Sequence, residues 1–487
     1  MHFKKGTVSA IMVVLSLSLI IGCSQQAKDV TYTTISSDAR NYFDAGLAAN
    51  DDIQIDEARE QFARAREADP DFAMAYYYGA LTSTTTAEFD DLLAKAVELA
   101  PRASQPEQLI IASLKAGNEG NTEQTEANLK QLVELLPEGK RAHYMLGNFY
   151  FGQQKWPLAE TQYQMVIKLD PNFAAAYNNL AYVYSNQEKF PESIEALKKY
   201  SELKPEDPNV HDSMGEIYLR MQDYEKSVQE YDNALKLMPD FVFSLVGLGD
   251  NAVFIGEYDR GRAEYNKIFT HAHSVADTNA AYFWIALSYI YEGKLDDAIS
   301  TLQEQLKFAE AHNEVLNQGT IHAQMAAINR EKGDFLAALR EAASARQFAA
   351  TPEIQPGPRG NLLRNICYTE AIVFTHQDKP QLAENAINEF YQSAEDSKNP
   401  VALKTYHGLR GVVLYWKQDY VKAIEELGQA DPLDQYAKFY LGLCYHETGL
   451  EDLAGKVFEE IATYNDSNFA YSFVRSEAMN RAESAAS

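Results

Sequence analysis

The sequence repeats at an interval of 34 residues between residues 140 and 275. The recurring positions hold two columns of small residues, one of large residues and one of prolines: Gly147, Ala181, Gly215 and Gly249; Ala159, Ser193, Ser227 and Gly261; Tyr163, Leu197, Tyr231 and Tyr265; Pro171, Pro205 and Pro239. Small residues let two helices approach, large ones fill the gap between them, and proline ends the second helix. The interval therefore predicts stacked helix pairs rather than separate domains.

Small, aromatic, large and proline residues at these offsets resemble the tetratricopeptide repeat (TPR). The resemblance implies an all-α, right-handed superhelical solenoid of antiparallel helix pairs. With some drift, the register extends to about twelve repeats between residues 39 and 468. Residues from about 105 to 270 also resemble TPR arrays that follow kinase, cyclase or regulator domains in bacterial signalling proteins, although here a leader sequence precedes the array.

Several glycines are expected in the turns inside the helix pairs, where a left-handed conformation costs glycine little. They are Gly152, Gly256, Gly293, Gly333 and Gly449. The pattern divides the chain as follows: 1–22 signal peptide, 23–38 lipidated cysteine and tether, 39–352 TPR array, 353–403 irregular helical connection with a degenerate repeat, 404–468 C-terminal TPR units, and 469–487 solvated capping helix and tail.

The first 22 residues are typical of an export signal. Lys4 and Lys5 precede an apolar run at 11–21, which is too short to span a bilayer. The run closes with Leu-Ile-Ile-Gly-Cys, which resembles the lipobox of bacterial lipoproteins and implies lipid attachment to Cys23. An ordinary secretory signal with an unrelated cysteine is the alternative. Ser24 favours the outer membrane, because Asp at that position would favour inner-membrane retention in enterobacterial sorting.

The composition argues against several classes of function. The chain has 70 Asp and Glu against 43 Lys and Arg, and its net charge of −27 disfavours nucleic acid as a partner. Three cysteines cannot form a disulfide framework or a four-cysteine zinc site. We find no nucleotide-binding, zinc-protease or nucleophile-elbow motif, and the repeats fill 39–468. We therefore predict no enzymatic activity, no cofactor and no metal.

An enzymatic alternative would need a cryptic site in the irregular segment 353–403. Such a site would gather Cys367, His376 and Asp378. Cys367 and Cys444 fall on the first helices of two separate repeats, too far apart for a disulfide in a regular stack. Both cysteines are therefore expected to be buried apolar thiols.

The TPR resemblance also indicates where a ligand would bind. The first helix of each pair lines the concave face, and its fifth, ninth and twelfth positions usually point into the groove. Carried over to this chain, these positions give the candidate binding residues Tyr144, Asn148, Phe151, Asn178, Tyr182, Asp212, Glu216 and Asp250.

These residue types suit an extended, basic peptide. The amides can bond a peptide backbone, the rings offer flat apolar contact, and Asp212, Glu216 and Asp250 favour Lys or Arg. A solvated inner surface is the alternative. Arg141 fits one unit of carboxylate-clamp TPRs and Asn179 one unit of asparagine-ladder TPRs, but neighbouring units do not match, so neither specificity is transferred.

We therefore predict a membrane-anchored TPR scaffold or adaptor lipoprotein of the cell envelope. Its partners would be other proteins, including extended or basic peptide segments, bound in the concave groove. The alternative is a surface lipoprotein that binds glycans or nutrients, against which count the short loops and only 3 tryptophans.

Overall fold

The computed structural model describes residues 29–52 and 54–486. The predicted signal peptide and the predicted lipidation site Cys23 lie outside these residues. Within them the chain contains no strand and forms twelve consecutive helix pairs followed by two further helices. We call the first helix of each pair helix A and the second helix B.

The first six pairs are α1 (Ser37–Asp51) with α2 (Ile55–Ala68), α3 (Ala73–Leu81) with α4 (Thr86–Leu99), α5 (Gln105–Asn118) with α6 (Thr122–Leu135), α7 (Lys140–Gly152) with α8 (Trp156–Leu169), α9 (Ala174–Ser185) with α10 (Phe190–Leu203), and α11 (Pro208–Arg220) with α12 (Tyr224–Leu237). The last six are α13 (Val242–Phe254) with α14 (Tyr258–His271), α15 (Val275–Tyr291) with α16 (Leu295–Ala311), α17 (Val315–Glu331) with α18 (Phe335–Ala349), α19 (Pro356–His376) with α20 (Pro380–Ser397), α21 (Pro400–Trp416) with α22 (Tyr420–Leu427), and α23 (Gln435–Glu447) with α24 (Glu451–Ala462). Helices α25 (Phe469–Ser472) and α26 (Arg475–Ala486) follow. The prediction of an all-α solenoid with about twelve repeats is confirmed.

Within a pair, the small residue of helix A receives the large residue of helix B. A Cβ atom added to Gly147 would lie 2.7 Å from the Tyr163 ring, and one added to Gly249 would lie 2.1 Å from Tyr265. These distances are shorter than van der Waals contact, so only glycine leaves room for the ring. The first and third columns of the 34-residue pattern are thus two sides of one contact.

A histidine of helix A joins the two helices of several pairs. His211 Nδ1 lies 2.6 Å from Glu230 Oε2, and His322 Nδ1 lies 2.7 Å from Glu341 Oε2. A third pair, His407 with Glu426, has the same spacing of 19 residues along the chain. The recurring contact fixes the register of helix B against helix A.

The turn between helices A and B contains a left-handed residue in most repeats. Gly256, Gly293, Gly333 and Gly449 take this conformation, with φ between 76° and 84°. The expectation for Gly152 is wrong, because that residue is helical and Gln154, with φ of 55°, is the left-handed one.

The array closes on itself, because A–B turns of early repeats contact segments that begin or follow late repeats. The turn between α5 and α6 meets the start of α19, where a Cβ on Gly120 would lie 3.1 Å from the Cα of Gly357. Further along, Gln154 Nε2 donates to Asp431 Oδ2 at 2.9 Å. Gln222 Nε2 donates to the Thr463 carbonyl oxygen at 3.2 Å.

Residues 463–475, which we call the crossing segment, run across the concave face rather than extending into solvent. Asn465 Nδ2 donates to the Leu219 carbonyl at 3.2 Å and to the Tyr224 hydroxyl at 2.9 Å. Tyr471 is fully buried. Arg475 donates to the Phe254 carbonyl at 3.2 Å. The sequence predicted a solvated capping helix from residue 469, whereas the structure places the start of that segment inside the array.

The first described residues run along the loops that connect successive repeats. Thr34 donates to Asp69, Thr33 donates to Glu107, and the backbone N–H of Arg141 donates to Asp29 at 3.3 Å. The part of the predicted tether from residue 29 onward is therefore seated on the first repeats.

The segment 353–403, predicted as an irregular helical connection with a degenerate repeat, contains the helix pair α19 and α20. These helices are 21 and 18 residues long, longer than the helices of the pairs before the Pro/Gly-rich sequence at 349–361.

No helix among the residues the structure describes is long and apolar enough to cross a membrane.

Candidate functional site

The eight candidate binding residues lie on four successive A helices, α7, α9, α11 and α13. Asn148 is exposed, whereas Asn178, Asp212 and Asp250 are buried and the other four are half-buried. The structure divides six of the eight residues between two polar groups and leaves Asn178 and Phe151 outside both.

The first group surrounds Asn148. Its Oδ1 accepts a hydrogen bond from the Tyr163 hydroxyl at 2.8 Å and another from Asn179 Nδ2 at 2.9 Å. Asn179 Nδ2 also donates to the Tyr144 hydroxyl at 3.1 Å. Asn178 faces another environment, where its buried Oδ1 has no partner. Phe151 is separate from this network and packs against Trp156 with ring centroids 5.3 Å apart.

The second group lines a cavity of about 330 Å³ between α11, α13, α15 and the crossing segment. Its carboxylates are Asp212, Glu216, Asp250, Asp277 and Asp466, and its wall includes the apolar side chains Val246, Phe243 and Trp284. We call it the acidic cavity. Three of the predicted site residues thus share one enclosed space.

The acidic cavity contains one cation, Arg220. Its Nη2 lies 2.9 Å from Glu216 Oε1 and 3.1 Å from Asp466 Oδ2. Glu216 also accepts a hydrogen bond from the Tyr182 hydroxyl at 2.8 Å. Arg220 therefore pairs with Glu216 and Asp466. The other three carboxylates, Asp212, Asp250 and Asp277, have no cation in the cavity.

Asp212 and Asp250 are bound by hydroxyl groups rather than by cations. Ser244 Oγ donates to Asp212 at 2.7 Å, and the Tyr265 hydroxyl donates to Asp250 at 2.5 Å. Burial raises the pKa of each carboxyl group to about 7, and the hydroxyl bonds oppose that shift only in part. A cation placed in the cavity would restore the ionised form of both groups.

Sequence reasoning did not identify the contribution of the crossing segment. Asn465 is 3% exposed and its Oδ1 has no hydrogen-bond partner, although the residue lines the acidic cavity. The repeat pattern assigns residues 465–468 to the end of the C-terminal TPR units. Nothing in their sequence indicates a contact with α11.

Arg141, which fits one unit of carboxylate-clamp TPRs, is occupied by a carboxylate of the same chain. Its Nη1 and Nη2 each donate to Asp51 at 2.7 Å. Lys204 pairs with the adjacent Asp52 at 2.8 Å. The bidentate pair of Arg141 with Asp51 joins the first repeat to the fourth.

The residues of the enzymatic alternative are not gathered into a site. Cys367 is fully buried beside Arg346, whereas His376 packs between Phe335 and Trp416 with ring centroids 5.0 and 4.2 Å away. Nine residues of helix separate Cys367 from His376, a rise of about 14 Å. Asp378 is exposed in the following turn. Cys367 and Cys444 are both free and buried, as predicted.

Comparison with known proteins identifies the repeats in the centre of the chain. Family models described as "TPR repeat" and "Tetratricopeptide repeat" match residues 147–188, then 174–207 and 209–241, and then 246–314. These matches span the A helices that form the acidic cavity. No curated protein matches the chain in sequence.

Solved structures with a similar fold include other TPR proteins. One from Parabacteroides merdae is 18% identical, covers 54% of this chain and 98% of its own, and has a TM-score of 0.36. PilF of Pseudomonas aeruginosa is 20% identical over 44% of this chain and 95% of its own, with a TM-score of 0.32. YrrB, described as a TPR protein with an unusual peptide-binding site, is 16% identical over 38% of this chain and 93% of its own, with a TM-score of 0.25.

The helix pairs and the central matches define an all-α repeat solenoid whose concave face carries the candidate site. The chain contains tetratricopeptide repeats, which the family models identify between residues 147 and 314. Repeat solenoids of this class present extended concave surfaces that bind other proteins.

Proposed function

We infer that the protein is a lipid-anchored scaffold or adaptor of the cell envelope, without catalytic activity, that binds a basic segment of a partner protein on its concave face. The observation that carries this proposal is the acidic cavity, where five carboxylates face one arginine. A Lys or Arg side chain entering it would pair with Asp212 and Asp250, which no described cation neutralises.

The shape of the acidic cavity supports a side chain as its occupant. Its volume of about 330 Å³ is near the lower end for ligand sites, and it combines an acidic floor with apolar walls. The long methylene stems of Lys and Arg pack on apolar surface while the charged head reaches the carboxylates. Phe243, which is 58% exposed, stands at the rim where the partner backbone would lie.

Site-specific photo-crosslinking in the native host tests the groove. A photoreactive phenylalanine analogue at Phe243 should capture a partner, whereas the same analogue at Tyr391 on α20 should not capture it. Mass spectrometry of the crosslink should place the attached residue next to a Lys or Arg of that partner. A crosslink to a segment without basic residues contradicts the proposed chemistry.

The charge requirement has a matched control. The triple variant Asp212→Asn, Glu216→Gln and Asp250→Asn should lose most of the crosslink at Phe243. The variant Glu192→Gln, Glu195→Gln and Glu225→Gln removes the same number of carboxylates from exposed positions on α10 and α12. This control variant should keep the crosslink at Phe243. Equal loss in both variants would mean that overall charge, not the cavity, attracts the partner.

The proposed anchor is Cys23, by its lipobox context. Asp29, whose side chain accepts the backbone N–H of Arg141, is six residues from Cys23 along the chain. Six residues reach at most about 20 Å, which would hold the first repeats close to the membrane surface. The outer membrane is the proposed location because Ser24 follows the cysteine.

Replacing Cys23 with Ala tests the anchor. The variant should lose metabolic palmitate labelling and move from the membrane to the soluble fraction of the envelope. Separation of inner and outer membranes on a density gradient should place the wild-type protein with the outer membrane. Unchanged labelling in the variant would refute the lipoprotein assignment and leave the groove proposal standing.

A further inference from the structure

A second cavity lies between early and late repeats, away from the acidic cavity. It has a volume of about 690 Å³ and is bounded by the turn between α5 and α6, the start of α19 and one side of α20. Its floor is the backbone contact in which a Cβ on Gly357 would lie 2.9 Å from the Asn118 carbonyl. We call this space the inter-repeat cleft.

Arg364 lies on the wall of the inter-repeat cleft without a carboxylate partner. Its Nη1 donates to the carbonyl and the hydroxyl of Ser393 at 3.2 and 3.0 Å, and its Nη2 donates to Asn361. A Cβ on Gly360 would come within 3.3 Å of the guanidinium, so glycine makes room for it. Burial lowers the pKa of Arg364, and no described anion opposes that effect.

Arg359 is a second guanidinium of the same kind. Its Nη2 donates to the carbonyls of Thr351 and Ile354 at 2.9 and 2.6 Å. Its Nε is shielded from solvent and has no hydrogen-bond partner. Neither Arg359 nor Arg364 forms an ion pair with a carboxylate in the described part of the chain.

The carboxylates of the inter-repeat cleft are mostly engaged elsewhere. Glu389 pairs with Arg346 at 2.8 Å, and Glu119 lies 3.6 Å from Lys115. Asp396 accepts a hydrogen bond from Gln392 at 2.8 Å and has no cation among the described residues. The cleft therefore holds two unmatched guanidinium groups against one unmatched carboxylate, in a protein whose net charge is −27.

Helix N-termini add to this positive character. The first residues of α6 and α19 and the N-cap Asn399 of α21 line the cleft, so the positive ends of three helix dipoles border it. Between them stand neutral donors and acceptors: Thr125, Gln153, Asn361, Gln392 and Ser397.

We propose that the inter-repeat cleft binds a small organic anion, a carboxylate or phosphate carried on a hydroxyl-rich body. The anionic group would meet Arg359, Arg364 and the helix N-termini, and the hydroxyls would meet the neutral amides and hydroxyls. The volume suits a ligand of one or two sugar units. This site is independent of the groove and would be the place where the protein binds a nutrient or glycan.

Calorimetry on the full chain in detergent tests the cleft with three matched probes: glucose, glucuronate and glucose 6-phosphate. We expect at least one of the two anions to bind about tenfold or more tightly than glucose. The better anion identifies the ligand as a carboxylate or a phosphate. Its affinity should fall as salt is raised, because the attraction is electrostatic. Binding of none of the three, or equal binding of glucose, overturns the proposal.

Two variants locate the binding. Arg364→Gln should weaken the better anion by about tenfold or more, since a charged hydrogen bond is lost, while the circular dichroism spectrum is kept. Arg340→Gln, at a side chain that is 71% exposed, should change nothing. If Arg364→Gln does not fold, Arg364→Lys replaces it and should bind more weakly than wild type, because it keeps the charge without the planar fork. Unchanged affinity in a folded Arg364 variant refutes the site.

Discussion

Asp212 and Asp250 are buried side chains whose charge depends on their surroundings. Each accepts one hydroxyl hydrogen bond and faces a space without a matching cation. Burial raises both pKa values to about 7, so both groups gain or lose a proton near neutral pH. The acidic cavity is therefore most attractive to a basic ligand above neutral pH.

The same shift predicts how stability depends on pH. An unfolded Asp has a pKa near 3.9, so between about pH 4 and pH 7 the folded protein holds a proton that the unfolded chain has lost. The stability contributed by the neutral form is complete below about pH 4 and is lost as pH rises through 7. Asp250→Asn, which stays neutral, should melt several degrees higher than wild type at about pH 8 and nearly equally at about pH 4.

The control for this prediction is Asp259→Asn on the exposed start of α14. Arg262 lowers the pKa of Asp259, so this substitution should not stabilise the protein at high pH. Thermal melts of the three proteins at several pH values make the comparison. Parallel pH curves for wild type and Asp250→Asn would contradict the assignment.

At this scale the repeat register predicts that equivalent positions of neighbouring A helices lie close together. Asp212, Glu216 and Asp250 line one cavity, whereas Asn178 and Phe151 lie apart from it. Asp466, which also lines the cavity, was not predicted, because it lies outside the repeat and 246 residues from Arg220. A repeating sequence pattern cannot predict a contact that occurs only once in the chain.

At the scale of helices and turns, the A–B turn is fixed by its hydrogen bonds more than by its residue types. The N–H of Asp334 donates to the Asn329 carbonyl at 2.9 Å, and the N–H of Lys155 donates to the Tyr150 carbonyl at 2.9 Å. The residue before each donor must be left-handed, whether it is Gly333 or Gln154. Helix pairing was therefore predictable from the 34-residue interval, and the left-handed residue was predictable where it is a glycine such as Gly333 but not where it is Gln154.

Gly333→Ala measures the cost of this conformation. Nothing lies within 4 Å of a Cβ at Gly333, so the substitution introduces backbone strain without a clash. We expect a loss of about 1–2 kcal/mol in the free energy of unfolding, measured with urea. Gly152→Ala is the matched control, because Gly152 has equally open space but is helical, and it should be neutral or slightly stabilising. Equal effects would argue against a left-handed turn.

At the scale of the whole molecule, single contacts between distant repeats close the array. Gln154 and Asp431 are 277 residues apart, and the Gly120–Gly357 contact joins the third repeat to the tenth. The sequence predicted an elongated array in place of several domains. It could not predict the closure, because these contacts depend on the accumulated rotation of seven helix pairs.

Gly357→Leu should open the closure. Its side chain would meet the backbone at Asn118 and Gly120, which cannot move without displacing α5 or α6. We expect a larger radius of gyration in small-angle X-ray scattering with an unchanged helical content. Gly152→Leu, whose Cβ would meet nothing within 4 Å, should keep the wild-type dimensions. Identical scattering from both variants would show that the closure does not depend on this contact.

The crossing segment also sets an order of events during synthesis. Helix pairs can form as each leaves the ribosome, because their contacts are local. Residues 465–467, which form one wall of the acidic cavity, follow all twelve helix pairs in the chain and are synthesised after them. Until they arrive, the concave face is an open trough in which α11 and α13 are accessible to any chain nearby. The acidic cavity is therefore complete only after all twelve helix pairs have been synthesised.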